Sequence, residues 1–233
     1  MSEIAHRGMD IEVYPDCNIA VIPGDISSSS WVHVHRRLDA DRGMLDRLVP
    51  LIPPDTVAID AGACIGCHTF EYLKHSTEVW AFEPSPVAYA CLLHNCPRAN
   101  CVNVGLGHDF AEMYWRSQYP NAGGSFLSWN SQPGDICVAV KPLDSFAIAR
   151  RVGFIKVDVE GMECNFLRGA AETIARDRPN MCLEVNTSAL ARNHVTPEVL
   201  LNMLHALKYK TEPVYPGTDA NDQWDVIAKP EAV

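Results

Sequence analysis

The chain has 233 residues, a formal net charge of −10, 47% hydrophobic and 21% charged residues, which suits one well-cored α/β domain. The acidic balance argues against a broad grip on nucleic acid, because the basic cluster Arg36, Arg37, Arg42 and Arg47 is diluted by Asp39, Asp41 and Asp46. No apolar run reaches the roughly 18–20 residues of a membrane span, and MSEIAHRGMDIEVYPDC lacks the basic opening and apolar centre of a leader; a cytoplasmic protein with reduced thiols is expected.

Residues 1–50 read as an extension that packs on the core and covers its acceptor side. Strand-like runs at 18–22 and 31–35 flank Pro23–Gly24, and a helix capped by Asp39 or Asp41 runs to Leu48. Residues 51–233 form the main domain, where strands and helices alternate. Strands are expected at 56–60, 78–83, 101–104, 154–158, 181–185, 209–213 and 224–228. Helices are expected at 67–75, 86–96, 143–150, 163–175 and 196–207. Segments 110–116, 125–129 and 136–140 read as antiparallel strands around Gly123–Gly124. This order predicts a mostly parallel sheet with helices on both faces.

The sharpest local signal is VAIDAGACIG at 57–66: a buried strand ends on Asp60 and turns through Gly62 and Gly66 into a helix. A dinucleotide fingerprint would read G-x-G-x-x-G. Here D-x-G-x-x-x-G puts a carboxylate where a pyrophosphate would be repelled and an ammonium held. Glu83 ends the next strand, placed to accept hydrogen bonds from both hydroxyls of a ribose. The pair fits a cationic adenosyl ligand better than NAD. Ala63, Cys64 and Pro84 belong to the same turns, His68 and Thr69 can reach the ligand's carboxylate at the helix start, and Gly105–Leu106 lies near its adenine.

Three segments carry a family resemblance: DAGACIG from Asp60, AFEPSP from Ala81, and FIKVDVEGME from Phe154. With LRGA from Leu167, RP at Arg178 and LEV from Leu183, they resemble the FkbM family of methyltransferases over about residues 55–228. The resemblance implies a Rossmann-like class I fold, a seven-stranded sheet with one antiparallel strand near the C-terminus, S-adenosylmethionine as donor and, usually, O-methylation. Cys64 departs from it, standing where the family commonly has Asn.

Other readings of the cysteines are set aside. Cys64-Ile-Gly-Cys67-His68 matches a haem-attachment pattern but fills a strand–turn–helix without an export signal, and Asp60 opposes a redox thiolate there. Cys91, Cys96 and Cys101 lack zinc-knuckle spacing and read as core residues.

Methyl transfer to a hydroxyl requires alignment and a proton acceptor. Asp158 is the first candidate to face the reacting groups, with Glu160 two residues on and Glu184 on the next strand end. Glu163 reads as a helix cap. Trp31, His33 and His35 would share one face of a strand, with His35 as a further base. A metal-free site is expected; the secondary alternative is Mg²⁺ on Asp158, Glu184 and Asn186. The reading adopted is a small-molecule O-methyltransferase for a sugar or secondary-metabolite hydroxyl. Its alternatives are an N-methyltransferase, a nucleic-acid 2′-O-methyltransferase, or a catalytically silent S-adenosylmethionine-binding module.

Overall fold

Short apolar runs punctuated by Pro, Gly and Asp fold as strands in the computed structural model, which describes residues 10–219 and 221–231. Residues 1–9, on which the reading of the N-terminus partly rests, lie outside them. The extension folds as β1 (Glu12–Tyr14), β2 (Ile19–Val21), α1 (Ser28–His35) and α2 (Arg42–Leu48). The core then alternates β3 (Val57–Ala61), α3 (Cys67–Tyr72), β4 (Glu78–Phe82), α4 (Pro86–Asn95) and β5 (Asn100–Val102). Four strands follow in succession, β6 (Gly105–Leu106), β7 (Ala111–Arg116), β8 (Phe126–Ser128) and β9 (Ile136–Lys141). The chain returns to the core with β10 (Val152–Val157), α5 (Glu163–Gly169), α6 (Ala171–Asp177), β11 (Asn180–Asn186) and α7 (Thr187–Ala191). It ends with α8 (Pro197–Ala206), β12 (Tyr209–Pro213) and β13 (Gln223–Pro230).

The main sheet has seven strands in the order β12-β13-β11-β10-β3-β4-β5. Only β13 runs antiparallel to its neighbours, as the family resemblance implies. From β3 the chain proceeds outward through β4 and β5, then crosses back to β10 on the other side of β3. That reversal opens a crevice at the carboxyl ends of β3 and β10, where open α/β sheets bind ligands. The strands β3 and β10 are buried along their whole length, which suits their Val/Ile-rich sequence. A second, four-stranded sheet, β6-β9-β7-β8, joins the three segments read as antiparallel strands to Gly105–Leu106, which pairs parallel with β9 rather than forming only a loop.

Local chemistry explains where structure and expectation part. Residues 31–35 are the end of helix α1 rather than a strand. The Asp25 carboxylate accepts from Ser27 N at 3.0 Å, Ser27 Oγ at 2.6 Å and Ser29 N at 2.9 Å, organising the helix start. The alternation of Trp31-Val32-His33-Val34-His35 is then incidental, since Val32 is buried while Val34 is 71% exposed. Burying the Val32 side chain contributes about 1.5–3 kcal/mol. Segment 143–150 makes only a 3₁₀ turn, Leu143–Ser145, because Phe146 turns extended and packs edge-on to Phe82, ring centroids 4.9 Å apart.

The helix expected over 163–175 breaks in two. A Cβ on Gly169 would meet the Gly107 carbonyl oxygen at 1.9 Å, and Asp144 caps the second piece by accepting from Glu172 N at 2.8 Å and Thr173 N at 2.9 Å. An unexpected short helix, α7, starts where the Asn186 side chain accepts from Ala189 N at 3.1 Å.

The N-terminal extension packs on the core. Ile19, Val21, Val32 and Leu38 form one buried cluster with Ile65, Val87 and Cys91 of the core domain. On α2, Met44, Leu45 and Leu48 pack with Ala58, Tyr72 and Phe154. Among the described residues no helix is long and apolar enough to cross a membrane.

Gly62 has φ +85°, and an added Cβ would lie 1.7 Å from the Asp158 carbonyl oxygen. Gly62→Ala therefore combines left-handed strain with overpacking and should lower unfolding free energy by about 2–4 kcal/mol. Urea denaturation measures it, and a change below about 0.5 kcal/mol would mean the turn relaxes freely.

Candidate cofactor and acceptor site

The reversal between β3 and β10 opens into a cavity of about 780 Å³, counting space open to solvent. Its floor is the strand-end turns: Gly62, Cys64, Glu83, Pro84, Gly105, Leu106, Asp158 and Glu160, all expected from the sequence, line it. Gly62 N and Ala63 N both donate to the Phe82 carbonyl at 3.0 Å, while Asp158 N donates to Ala61 O at 2.9 Å. These bonds lock three strand ends to one another. Each Glu83 oxygen accepts one backbone N–H, Cys64 N at 2.8 Å and Ser85 N at 2.7 Å. A carboxylate oxygen has about two acceptor sites, so each retains capacity for a ligand hydroxyl. Burial pushes Glu83 up to about 7 against those two bonds.

The remaining residues of the expected cofactor set stand behind this surface. Asp60 is 1% exposed and absent from the cavity lining. Its carboxylate accepts from Thr69 Oγ1 at 2.5 Å, and in register it neighbours Lys156 of β10. Burial raises Asp60 above the usual carboxylate range, with Thr69 and Lys156 opposing. Ala63, Gly66, His68 and Thr69 also lie outside the lining. Gly66 gives α4 its close approach: a Cβ there would meet Cys96 Sγ at 2.8 Å. Burial, then the Lys156 charge, pushes His68 down to about 3, so its ring is neutral.

The part of the roof supplied by the second sheet escaped sequence reasoning. Trp115, Phe126 and Leu127 of the second sheet, Ser28 of α1 and the turn at Ala122–Gly124 close the cavity from above. Asp25 ties roof to extension by accepting from Ala122 N at 2.9 Å, and Ser27 Oγ accepts from Gly123 N at 3.1 Å. The Gly123–Gly124 pair and the Asp25–Ser30 cluster were the available signals, but their pairing is non-local.

Three carboxylates converge beside this cavity. Asp158, Glu160 and Glu184 each bring an oxygen within 4.8 Å of the others. An extended chain does not align Asp158 with Glu160, contrary to expectation. Strand β10 stops at Val157, and Glu160 (φ 52°) and Gly161 (φ 101°) make a left-handed turn. That turn needs glycine, since a Cβ on Gly161 would meet Ala189 O at 2.2 Å. Glu163 Oε1 accepts from Val159 N at 3.3 Å and Gly161 N at 3.1 Å, the capping role expected of it.

Two cations compensate the cluster. Lys156, 2% exposed, donates to Asp158 Oδ2 at 2.7 Å, and Arg192 pairs with Glu160 at 3.2 Å. Glu184 Oε1 accepts from Gln223 Nε2 at 2.6 Å, and among the described residues Oε2 has no partner. Burial, then the charges of Asp158 and Glu160, push Glu184 up to about 10. Burial and Asp158 likewise push Glu160 up to about 7, against Arg192. Asn186, the third Mg²⁺ ligand of the secondary reading, does not join the group, because its oxygen caps α7; Glu160 stands there instead. His35 is exposed on α1, its ring 3.9 Å from that of Trp31, and is not part of the lining.

A glycine turn at the first core strand, a carboxylate at the end of the second and a sheet with one reversed strand define the class I methyltransferase fold. The chain belongs to the FkbM methyltransferase domain family, which it matches over residues 60–211. It is 28% identical over 149 residues to Methyltransferase 1 of Beauveria bassiana; that stretch covers 50% of this chain and 59% of the fungal protein. Among solved structures it is similar to methyltransferase FkbM from Methylobacillus flagellatus, with TM-score 0.51 and 16% identity over 78% of this chain and 50% of that one. A Streptococcus mutans structure in complex with SAH aligns with TM-score 0.51 and 12% identity over 81% of this chain and 96% of the other. The chain thus spans only about half the length of the FkbM structure and 59% of the fungal relative. At these identities the structural likenesses establish the fold alone.

Lys156→Met would leave Asp158 facing buried neighbours without its cation. Because the Asp158 side chain is 34% exposed, losing its cation should cost about 1–3 kcal/mol, less than breaking a fully buried pair. The unfolding midpoint should drop accordingly, and an unchanged midpoint would show that protons alone neutralise the cluster.

Proposed function

We propose that the protein is an S-adenosylmethionine-dependent O-methyltransferase acting on a hydroxyl of a sugar or secondary metabolite. The observation that carries this reading is the shared cavity: Glu83 with free acceptor capacity, the Gly62 turn, Asp158 and Glu160 all line it. The residues present fit S-adenosylmethionine. Glu83 can accept from ribose hydroxyls, Gly105 and Leu106 offer backbone and apolar contact for adenine, and the carboxylates suit a ligand bearing two positive groups. When bound, this cofactor supplies an electrophilic methyl group on a sulfonium.

The chain's own groups do the rest. Glu160 lines the cavity and, held near 7, is poised to take a hydroxyl proton at neutral pH. Asp158, fixed by Lys156, orients the acceptor hydroxyl. The roof of Trp115, Phe126 and Leu127 limits water at the reacting end. Glu184 lies too deep to meet the acceptor and holds the charge balance of the cluster. No metal is needed in this scheme, since Lys156 and Arg192 already compensate two of the three carboxylates. The net charge of −10 favours a small acceptor over nucleic acid, and the polar cluster would have no use in a silent binding module.

Calorimetry should detect micromolar S-adenosylhomocysteine and no NAD. Glu83→Gln should weaken the former by roughly 10- to 150-fold, the loss of about 1.5–3 kcal/mol of charge-assisted hydrogen bonding. Wild-type affinity in that variant would move the ribose site elsewhere.

Transfer of labelled methyl should rise with pH through about 7 as Glu160 loses its proton; burial, Asp158 and Glu163 hold that value up and Arg192 opposes them. Glu160→Gln should cut kcat about 10²- to 10⁴-fold and flatten the profile, whereas EDTA should leave turnover unchanged. A metal requirement, or a normal profile in the variant, would overturn this assignment of the base.

A further inference from the structure

A second groove of about 1170 Å³, counting open space, adjoins the cofactor cavity and shares Phe126 and Leu127 with it. The partition is a stack of three side chains. Arg192 lies over the Phe126 ring, 4.2 Å from its centroid, and reaches Glu160 on the cavity side. The groove is also lined by Arg168, whose guanidinium bonds Asn165 Oδ1 at 3.2 Å and has no carboxylate partner among the described residues. Trp129 is 59% exposed on the same groove, and no ring stacks on it among the described residues. Asn193, which already donates to Gly161 O at 3.0 Å, and His194 add polar groups to the lining.

We infer that this groove seats the methyl acceptor, and that the acceptor is a polyhydroxylated ring bearing an anionic group, a sugar phosphate or a sugar acid. The inference rests on the methyltransferase reading above and adds the acceptor's charge and path. The indole offers a flat apolar face to the C–H side of a sugar ring. Amides and imidazole match ring hydroxyls. Arg168 is a planar, unpaired cation in a strongly acidic protein, and a guanidinium recognises phosphate or carboxylate by paired N–H donors. An anion seated near Arg168 also competes with Glu160 for Arg192. As Arg192 turns toward it, the partition at Phe126 opens and Glu160, ionised until then by its cation, gains proton affinity as the hydroxyl arrives. Acceptor binding and release of the base are then one event.

The test titrates the protein saturated with S-adenosylhomocysteine with glucose, glucose 6-phosphate and glucuronate, read by tryptophan fluorescence and calorimetry. The charged probes should bind at least tenfold tighter than glucose, with a quench that Trp129→Phe removes. Arg168→Ala should erase that preference while leaving S-adenosylhomocysteine affinity unchanged. Preference for glucose 6-phosphate alone, or for glucuronate alone, assigns the anion as phosphate or carboxylate. Equal binding of glucose and the charged probes, full preference in Arg168→Ala, or no binding of any probe to the saturated protein would overturn the inference. Failure of S-adenosylhomocysteine itself to bind would instead sink the methyltransferase reading.

Discussion

The site depends on one buried cation. Lys156 sits near the carboxyl end of β10, the central strand of the seven-stranded sheet, flanked in register by Asp60 of β3 and Cys182 of β11. Burial alone would strip its proton, but Asp158 and Asp225 outweigh that and hold it charged. A fixed charge there explains why a carboxylate can stand at the end of each surrounding strand. Asp60, Asp158 and Glu184 would otherwise be unpaired acids at the carboxyl edge of a nearly dry sheet, a costly arrangement. Lys156 makes their convergence affordable, and the convergence places acid chemistry beside the glycine turn.

The same edge is useful only if covered. In this chain the cover comes from two separate pieces of sequence. The strands inserted after β5 supply Trp115, Phe126 and Leu127, while the N-terminal extension brings Asp25, whose buried carboxylate joins α1 to the turn at Ala122–Gly124. One acid thus performs a capping role and a tertiary one together. The roof's position over the cavity is consequently coupled to whether α1 is formed.

Legibility in the sequence followed the range of the forces involved. The alternation of strands and helices, the Gly62 turn and Glu83 were readable because local apolar runs, glycine and proline determine them. The direction of the Asp60 side chain was not, since it is decided by Thr69 nine residues on, in α3, and by Lys156 on a neighbouring strand. Residues 31–35 were misread because a period of two in five residues is weak evidence, and the stronger determinant, Asp25, stands outside the segment. Glu160 was found for an incorrect reason: the chain reverses at Gly161 against Ala189, and the reversal rather than strand alternation turns it toward Asp158. Phe126 and Arg192 carried no sequence signal, as each acquires its role only from the other.

In the proposed mechanism that last pair bears on how the site can wait for its substrate without losing its base to solvent or to a permanent proton. Glu160 faces a like charge on Asp158 and an opposite one on Arg192. If Arg192 were absent, repulsion would drive Glu160 further up and it would stay protonated at neutral pH. If Arg192 were clamped, Glu160 would be ionised but masked. A guanidinium half-exposed over the Phe126 face avoids both extremes, because its cation–π contact is worth only about 0.5–2 kcal/mol and its ion pair is partly solvated. A competing anion can therefore move it at modest cost, and the most adjustable charge of the cluster stands at the boundary between the two spaces.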